Sequence, residues 1–203
     1  MAIILGIDPS ISATGLIVIN TEDFKILYQT TIKNPPGASA NYCMDPYDQI
    51  RGGLQMVIRE YGVEHAYIEK MFIGPNGTTV ELLFCAAFTA RQACHDLKVP
   101  FHIIPVNGVN IGWRWFSLGS EYSKYKGAQA KIANRAILGS ALGVKLSSEH
   151  VADAAGVALA GWFYQTGVDF RDVRGVSKPE FTKPIEAKDA SKSKKRKPRT
   201  PIC

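Results

Sequence analysis

The feature that most constrains this chain is its opening stretch, MAIILGIDPSISATGLIVI. Ile3, Ile4, Leu5 and Ile7 form a short apolar run that reads as a buried strand. Asp8 ends the run, Pro9 and Ser10 break it, and residues 16–19 form a second apolar run, so the segment is expected to be a β-hairpin. An aspartate at the end of a buried central strand is costly unless its charge is compensated, as a metal ion or a bound cationic group would do. The plainer alternative is that Asp8 starts a turn with Pro9.

The remaining pattern extends the hairpin into a sheet. Residues 24–32 alternate as a third strand, with Phe24, Ile26, Tyr28 and Thr30 expected on one face. Residues 45–61 have helical spacing in Tyr47, Ile50, Leu54, Val57, Ile58 and Tyr61, weakened by Gly52 and Gly53. A short strand at 64–69 ends on Glu69, and a glycine loop follows at 73–79. An Ala- and Cys-rich apolar helix is expected at 80–97 and a fifth strand at 101–104. Helices are expected at 126–142, with Gly143 as the stop, and at 149–164. Residues 106–125, which hold Trp113, Trp115 and Phe116, fit no single element. Strands alternating with helices imply crossover connections, and hence an α/β fold with a central mixed five-stranded sheet flanked by helices.

The periodic apolar signal ends near Gly167, which divides the 203 residues into a folded domain over 1–167 and a tail over 168–203. The net charge of +6 has the same division. Residues 1–168 carry 13 basic and 13 acidic side chains, whereas residues 169–203 carry 11 and 5. The run containing Lys194, Lys195, Arg196 and Lys197 is flanked by Ser and Pro, so it is expected to be disordered and to grip a polyanion, most simply nucleic acid. No apolar run reaches membrane-spanning length and no basic region precedes the first apolar residues, so the expected setting is cytoplasmic. Cys43, Cys85, Cys94 and Cys203 have no metal-binding spacing and are expected as free thiols.

Three acid-bearing segments stand out together. Asp8 and Glu69 each end a strand, and His150 and Asp153 share a face at i and i+3 in the first turns of a helix. If the first and fourth strands are neighbours, the four side chains converge. Clustered carboxylates stay ionised together only around a cation. Oxygen-rich ligation suits Mg²⁺ or Mn²⁺, and the single imidazole tilts the choice toward Mn²⁺. Two such ions about 3.5–4 Å apart are a recurrent device for phosphodiester hydrolysis.

On these residues the chain resembles the RuvC family of Holliday junction resolvases, which are ribonuclease H-like nucleases. MAIILGIDPSISATG is similar to the family's GIDPG-x-x-x-TG opening, with Ser10 in place of a glycine. IEKMF at 68–72 resembles the IE-x-x-F segment, and HVADAAGVALA at 150–160 the closing [D/H]-x-x-D-A helix. The likeness covers roughly residues 1–165. It implies a ribonuclease H-like fold and a metal-dependent endonuclease that resolves four-way DNA junctions by paired nicks. It also implies a homodimer and two Mg²⁺ or Mn²⁺ ions held by Asp8, Glu69, His150 and Asp153. By the same likeness Phe72 wedges into the junction, although a core Phe is the equal alternative. Lys126 stabilises charge developing on the phosphate, with Lys124 and Lys131 close enough in sequence to leave that assignment open. Asn107 falls where the family has a basic residue, so its DNA contacts do not transfer in detail. Trp113, Trp115 and Phe116 stack on bases, line a subunit interface or fill a core.

The nearest rival reading is a related nuclease acting on RNA, flaps, forks or three-way junctions. A sugar-kinase-like or actin-like ATP-binding fold shares the phosphate-gripping hairpin, but calls for a second acidic glycine-rich hairpin and about twice the length. A non-catalytic DNA-binding module has no use for all four candidate ligands.

Overall fold

The opening hairpin lies at the middle of the fold. In the computed structural model, which describes residues 1–34, 45–70, 77–105 and 128–176, β1 (Ile3–Asp8) pairs antiparallel with β2 (Ala13–Asn20). β2 pairs antiparallel with β3 (Lys25–Lys33). On its other side β1 pairs in parallel with β4 (His65–Glu69), which pairs in parallel with β5 (Phe101–Ile104). The order β3-β2-β1-β4-β5 is the expected mixed five-stranded sheet.

Alternation along the strands feeds two cores. Leu5, Ile7, Leu16, Val18, Ala66 and Ile68 point to one face, where α1 (Asp45–Tyr61) and α2 (Gly77–Asp96) cover them with Ile50, Leu54, Val57, Ala86 and Ala90. Ile4, Ile17, Ile19, Tyr67 and Ile104 point to the other, under α3 (Ala128–Leu142) and α4 (Glu149–Thr166). Every residue of α4 from Val151 to Gly161 is buried, and this stretch, apolar all round apart from Asp153, belongs inside a fold. Its Ala- and Gly-rich surface lets it lie close to the sheet. A Cβ on Gly6 would come within 2.1 Å of the Ala154 carbonyl oxygen, and one on Gly15 within 2.2 Å of that of His150.

Two expectations need correction. Phe24 is not on β3; it sits before the strand with a φ of 51° and stacks obliquely on Phe170. Nor do Ile26 and Tyr28 share a face. Val18 pairs with Tyr28 and Ile19 with Ile26, so Leu27 is an extra residue, and this bulge sends Ile26 to the α4 side and Tyr28 to the α1 side.

Packed structure also continues past Gly167. A one-turn helix, α5 (Phe170–Arg174), is capped by Asp169 and ends at Gly175 with a φ of 64°. Phe170 is buried in the α4-side core, and the Arg174 guanidinium donates to the carbonyls of Ala141, Asp23 and Phe24. Cys94 is buried, Cys85 partly so, and both are free thiols; burial pushes the Cys94 thiol up to about 12. Among the described residues no helix is long and apolar enough to cross a membrane.

Candidate active site

The site is assembled at one end of the sheet. Asp8 is the last residue of β1 and Glu69 the last of β4. The parallel register pairs Ile7 with Ile68, so Asp8 and Glu69 occupy the next positions on adjacent strands. Ile7 and Ile68 point toward α1 and α2, so by alternation both acids face α4. The turn after Asp8 is shaped by buried Thr14, whose hydroxyl donates to the Ser10 carbonyl (2.7 Å) and accepts from the Ser10 amide (3.2 Å).

The start of α4 is held over these strand ends by polar ties. Ser148 caps the helix by accepting from the Val151 amide (3.1 Å), and its hydroxyl is 2.7 Å from that of Thr31 on β3. The Gln29 side chain accepts from the Ser147 amide and donates to the Lys145 carbonyl. Arg135 donates to the carbonyls of Leu146 and Ser147. The segment between α3 and α4 is thus fastened from two sides, and it delivers His150 and Asp153 to the acids.

His150 Nδ1 is 2.9 Å from Asp8 Oδ2. That hydrogen bond is the main cause of a raised imidazole pKa; the charges of Asp8 and Asp153 add to it, while burial and Lys131 oppose it. Asp153, only 7% exposed, has Lys131 Nζ 3.5 Å from its Oδ2, and the same ammonium lies 4.0 Å from Glu149 Oε2. The site therefore pairs carboxylates with an ammonium reaching in from α3 and an imidazole from α4. As the side chains stand, no three His, Cys, Asp or Glu groups among the described residues are close enough to hold one ion.

The donor set nevertheless suits a divalent cation in kind. Two carboxylates end neighbouring strands on one face, a third is buried on the facing helix turn, and one imidazole stands beside the first. Of the residues singled out from sequence, the structure joins Asp8 to His150 and Asp153 to Lys131, and it sets Glu69 on the strand beside Asp8. Phe72, Lys124, Lys126, Asn107, Trp113, Trp115, Phe116, Lys194, Lys195, Arg196, Lys197, Cys43 and Cys203 lie outside the described residues.

The residues that hold the site in place are Gly6, Gly15, Gln29, Thr31, Arg135 and Ser148, none of them a site candidate from the sequence. Gly6 did carry a signal, since a glycine inside an apolar strand marks the close approach of another backbone. Gln29 and Arg135 carried none, because their partners are backbone atoms of a distant connector.

No protein-family model matches the chain, and no curated protein does. Solved structures do. Thermus thermophilus RuvC in complex with Holliday junction substrate matches with a TM-score of 0.62 at 19% identity, over 89% of this chain and 100% of that one. The Thermus thermophilus RuvC structure matches with a TM-score of 0.63 at 21% identity, over 81% of this chain and 96% of that one. The likeness is one of fold: the protein has the ribonuclease H-like α/β architecture of RuvC, as the motifs led one to expect.

Proposed function

We propose that the protein is a divalent-metal-dependent endonuclease that nicks branched DNA and resolves four-way junctions by paired incisions. The observation that carries this reading is that Asp8 and Glu69 end adjacent strands on the face toward α4, whose first turn brings His150 to 2.9 Å from Asp8. Asp8, Glu69 and Asp153 are the groups that would hold two Mg²⁺ or Mn²⁺ ions, with His150 as a fourth ligand. Bound ions supply an activated water and stabilise the leaving oxygen in phosphodiester hydrolysis. The fastened connector before α4 fixes His150 and Asp153 in advance, and a site held still spends little free energy on ordering itself.

Lys131 lies at the carboxylates, while Lys124 and Lys126 lie outside the described residues. Lys131 is the cation we assign to the scissile phosphate. A four-way junction has near-two-fold symmetry, so paired nicks call for two active sites related by the same axis and hence a C2 homodimer. The basic run at 188–199 adds phosphate contacts that do not depend on sequence.

The test is to incubate the full chain with four-way, three-way and linear DNA in Mg²⁺, Mn²⁺ or EDTA. Symmetric paired nicks confined to the four-way junction, and lost in EDTA, are the expected result. Equal cutting of three-way junctions would move the assignment to a broader branch nuclease. Cleavage that persists in EDTA would remove it.

A further inference from the structure

Lys131 stands in a position that goes beyond holding a phosphate. Asp153 is buried, and a buried carboxylate is stable only with a compensating charge. Lys131 contributes one, yet loosely. Its 3.5 Å separation from Oδ2 is longer than the 2.7–2.9 Å typical of a tight charge-assisted bond, and its ammonium also lies 4.0 Å from Glu149. The lysine side chain is 38% exposed, on a stem that rotates freely, so leaving Asp153 costs it little. Glu149, with its side chain 42% exposed, offers a second partner on the same side of the site.

An ammonium this close to Asp153 and a divalent cation bound by Asp153 repel each other, so the two cannot share the carboxylate at full strength. We infer that Lys131 is a displaceable counter-ion of the site: it neutralises Asp153, competes with the divalent cation for that carboxylate, and is driven toward the open side as the cation enters. The inference rests on the proposed function, because it takes Asp8 and Asp153 as ligands. It adds that the chain's own lysine sets the threshold for ion binding. Loading of the ions and release of a positive charge toward the DNA phosphate are then one event.

The experiment titrates Mn²⁺ into full-length protein without DNA, reading free Mn²⁺ by its electron paramagnetic resonance signal. Wild type is compared with Lys131→Met, Lys131→Gln, Lys131→Arg, Asp8→Asn and Asp153→Asn, each checked for folding by thermal melting. Lys131→Met and Lys131→Gln should bind Mn²⁺ about two- to fivefold more tightly, the scale of one partly screened ion pair, and Lys131→Arg should bind like wild type. Asp8→Asn and Asp153→Asn should lose the binding. Equal or weaker binding by both neutral Lys131 variants, with the aspartate variants still defective, would overturn this inference and leave the proposed function standing. Binding that survives Asp8→Asn and Asp153→Asn unchanged would overturn both.

Discussion

Gly15 touches the backbone of His150: a Cβ at Gly15 would lie 2.2 Å from the His150 carbonyl oxygen and 2.8 Å from the His150 Cβ. Gly15 is also the residue paired with Asp8 across the hairpin. The absence of one side chain therefore sets how closely α4 approaches the strand that carries the first acid. Gly15→Ala must push a helix backbone, which cannot swing aside as a flexible side chain can. We expect about 1–3 kcal/mol of lost stability and a larger proportional loss of cleavage, because His150 and Asp153 move with the helix. Chemical denaturation and single-turnover cleavage of the same preparation check both. A stability loss with cleavage intact would show that the approach does not position the site.

His150→Asp probes the pairing with Asp8. The substitution puts a carboxylate where an imidazole now hydrogen-bonds Asp8 Oδ2. Without a divalent cation the two acids repel; a penalty of about 1 kcal/mol lowers Tm by about 2–4 °C in a chain of this size. Added Mg²⁺ should restore the loss, and the ratio of Mg²⁺- to Mn²⁺-supported activity should rise, since oxygen suits Mg²⁺ better than imidazole does. A melting temperature indifferent to Mg²⁺ would count against His150 as a ligand.

The basic tail is best tested by a cut placed after α5. Removing everything after Gly167 also removes Phe170 from the core and the Arg174 bonds that tie down the β2–β3 turn. That truncation should melt early. Truncation after Val176 should keep the fold and flatten the slope of log K against log salt by about 3–6 units, if four to seven of the seven basic residues between Lys188 and Arg199 contact phosphates. The preference for junction over linear DNA should not fall. An unchanged slope would mean the tail does not touch DNA.

His102 gives a pH dependence of known sign. Its ring stacks on Tyr67 and lies 6.0 Å from that of His65, with Trp162 of α4 against His65. Burial, then the nearby His65, holds the His102 pKa below its ordinary 6.5. As pH falls below 6.5 the unfolded chain takes up this proton first, so the fold loses stability. His150 acts in the opposite sense: its raised pKa adds stability below the ordinary value, and that contribution is lost as pH rises through the raised one. His102→Phe removes the first effect alone. Its stability should fall less steeply than that of wild type between pH 6.5 and 5, and parallel profiles in denaturant melts would contradict the assignment.

The sheet and the positions of the acids were legible because each rests on local pattern. Apolar runs such as residues 3–7 and 66–68 declare strands, and the i, i+3 spacing of His150 and Asp153 declares a shared helix face. The Leu27 bulge was not legible, because alternation read from one strand does not reveal how its partner is registered. α5 escaped for a different reason: five residues are too few to show helical periodicity, and its stability comes from Phe24, Ala141 and the core it plugs. The pairing of Lys131 with Asp153 joins α3 to α4 through one flexible side chain, a contact that spacing along the chain does not reveal.

We propose that Asp8 serves the chemistry and not the grip on DNA. The most direct measurement is single-turnover cleavage of a four-way junction by wild type and Asp8→Asn in Mn²⁺, with junction affinity measured in parallel in EDTA. Asn keeps the shape of the side chain and removes its charge, so cleavage should fall by orders of magnitude while affinity stays within about twofold, the change expected when no direct phosphate contact is lost. Cleavage by Asp8→Asn at a rate near wild type would show that Asp8 holds no catalytic ion.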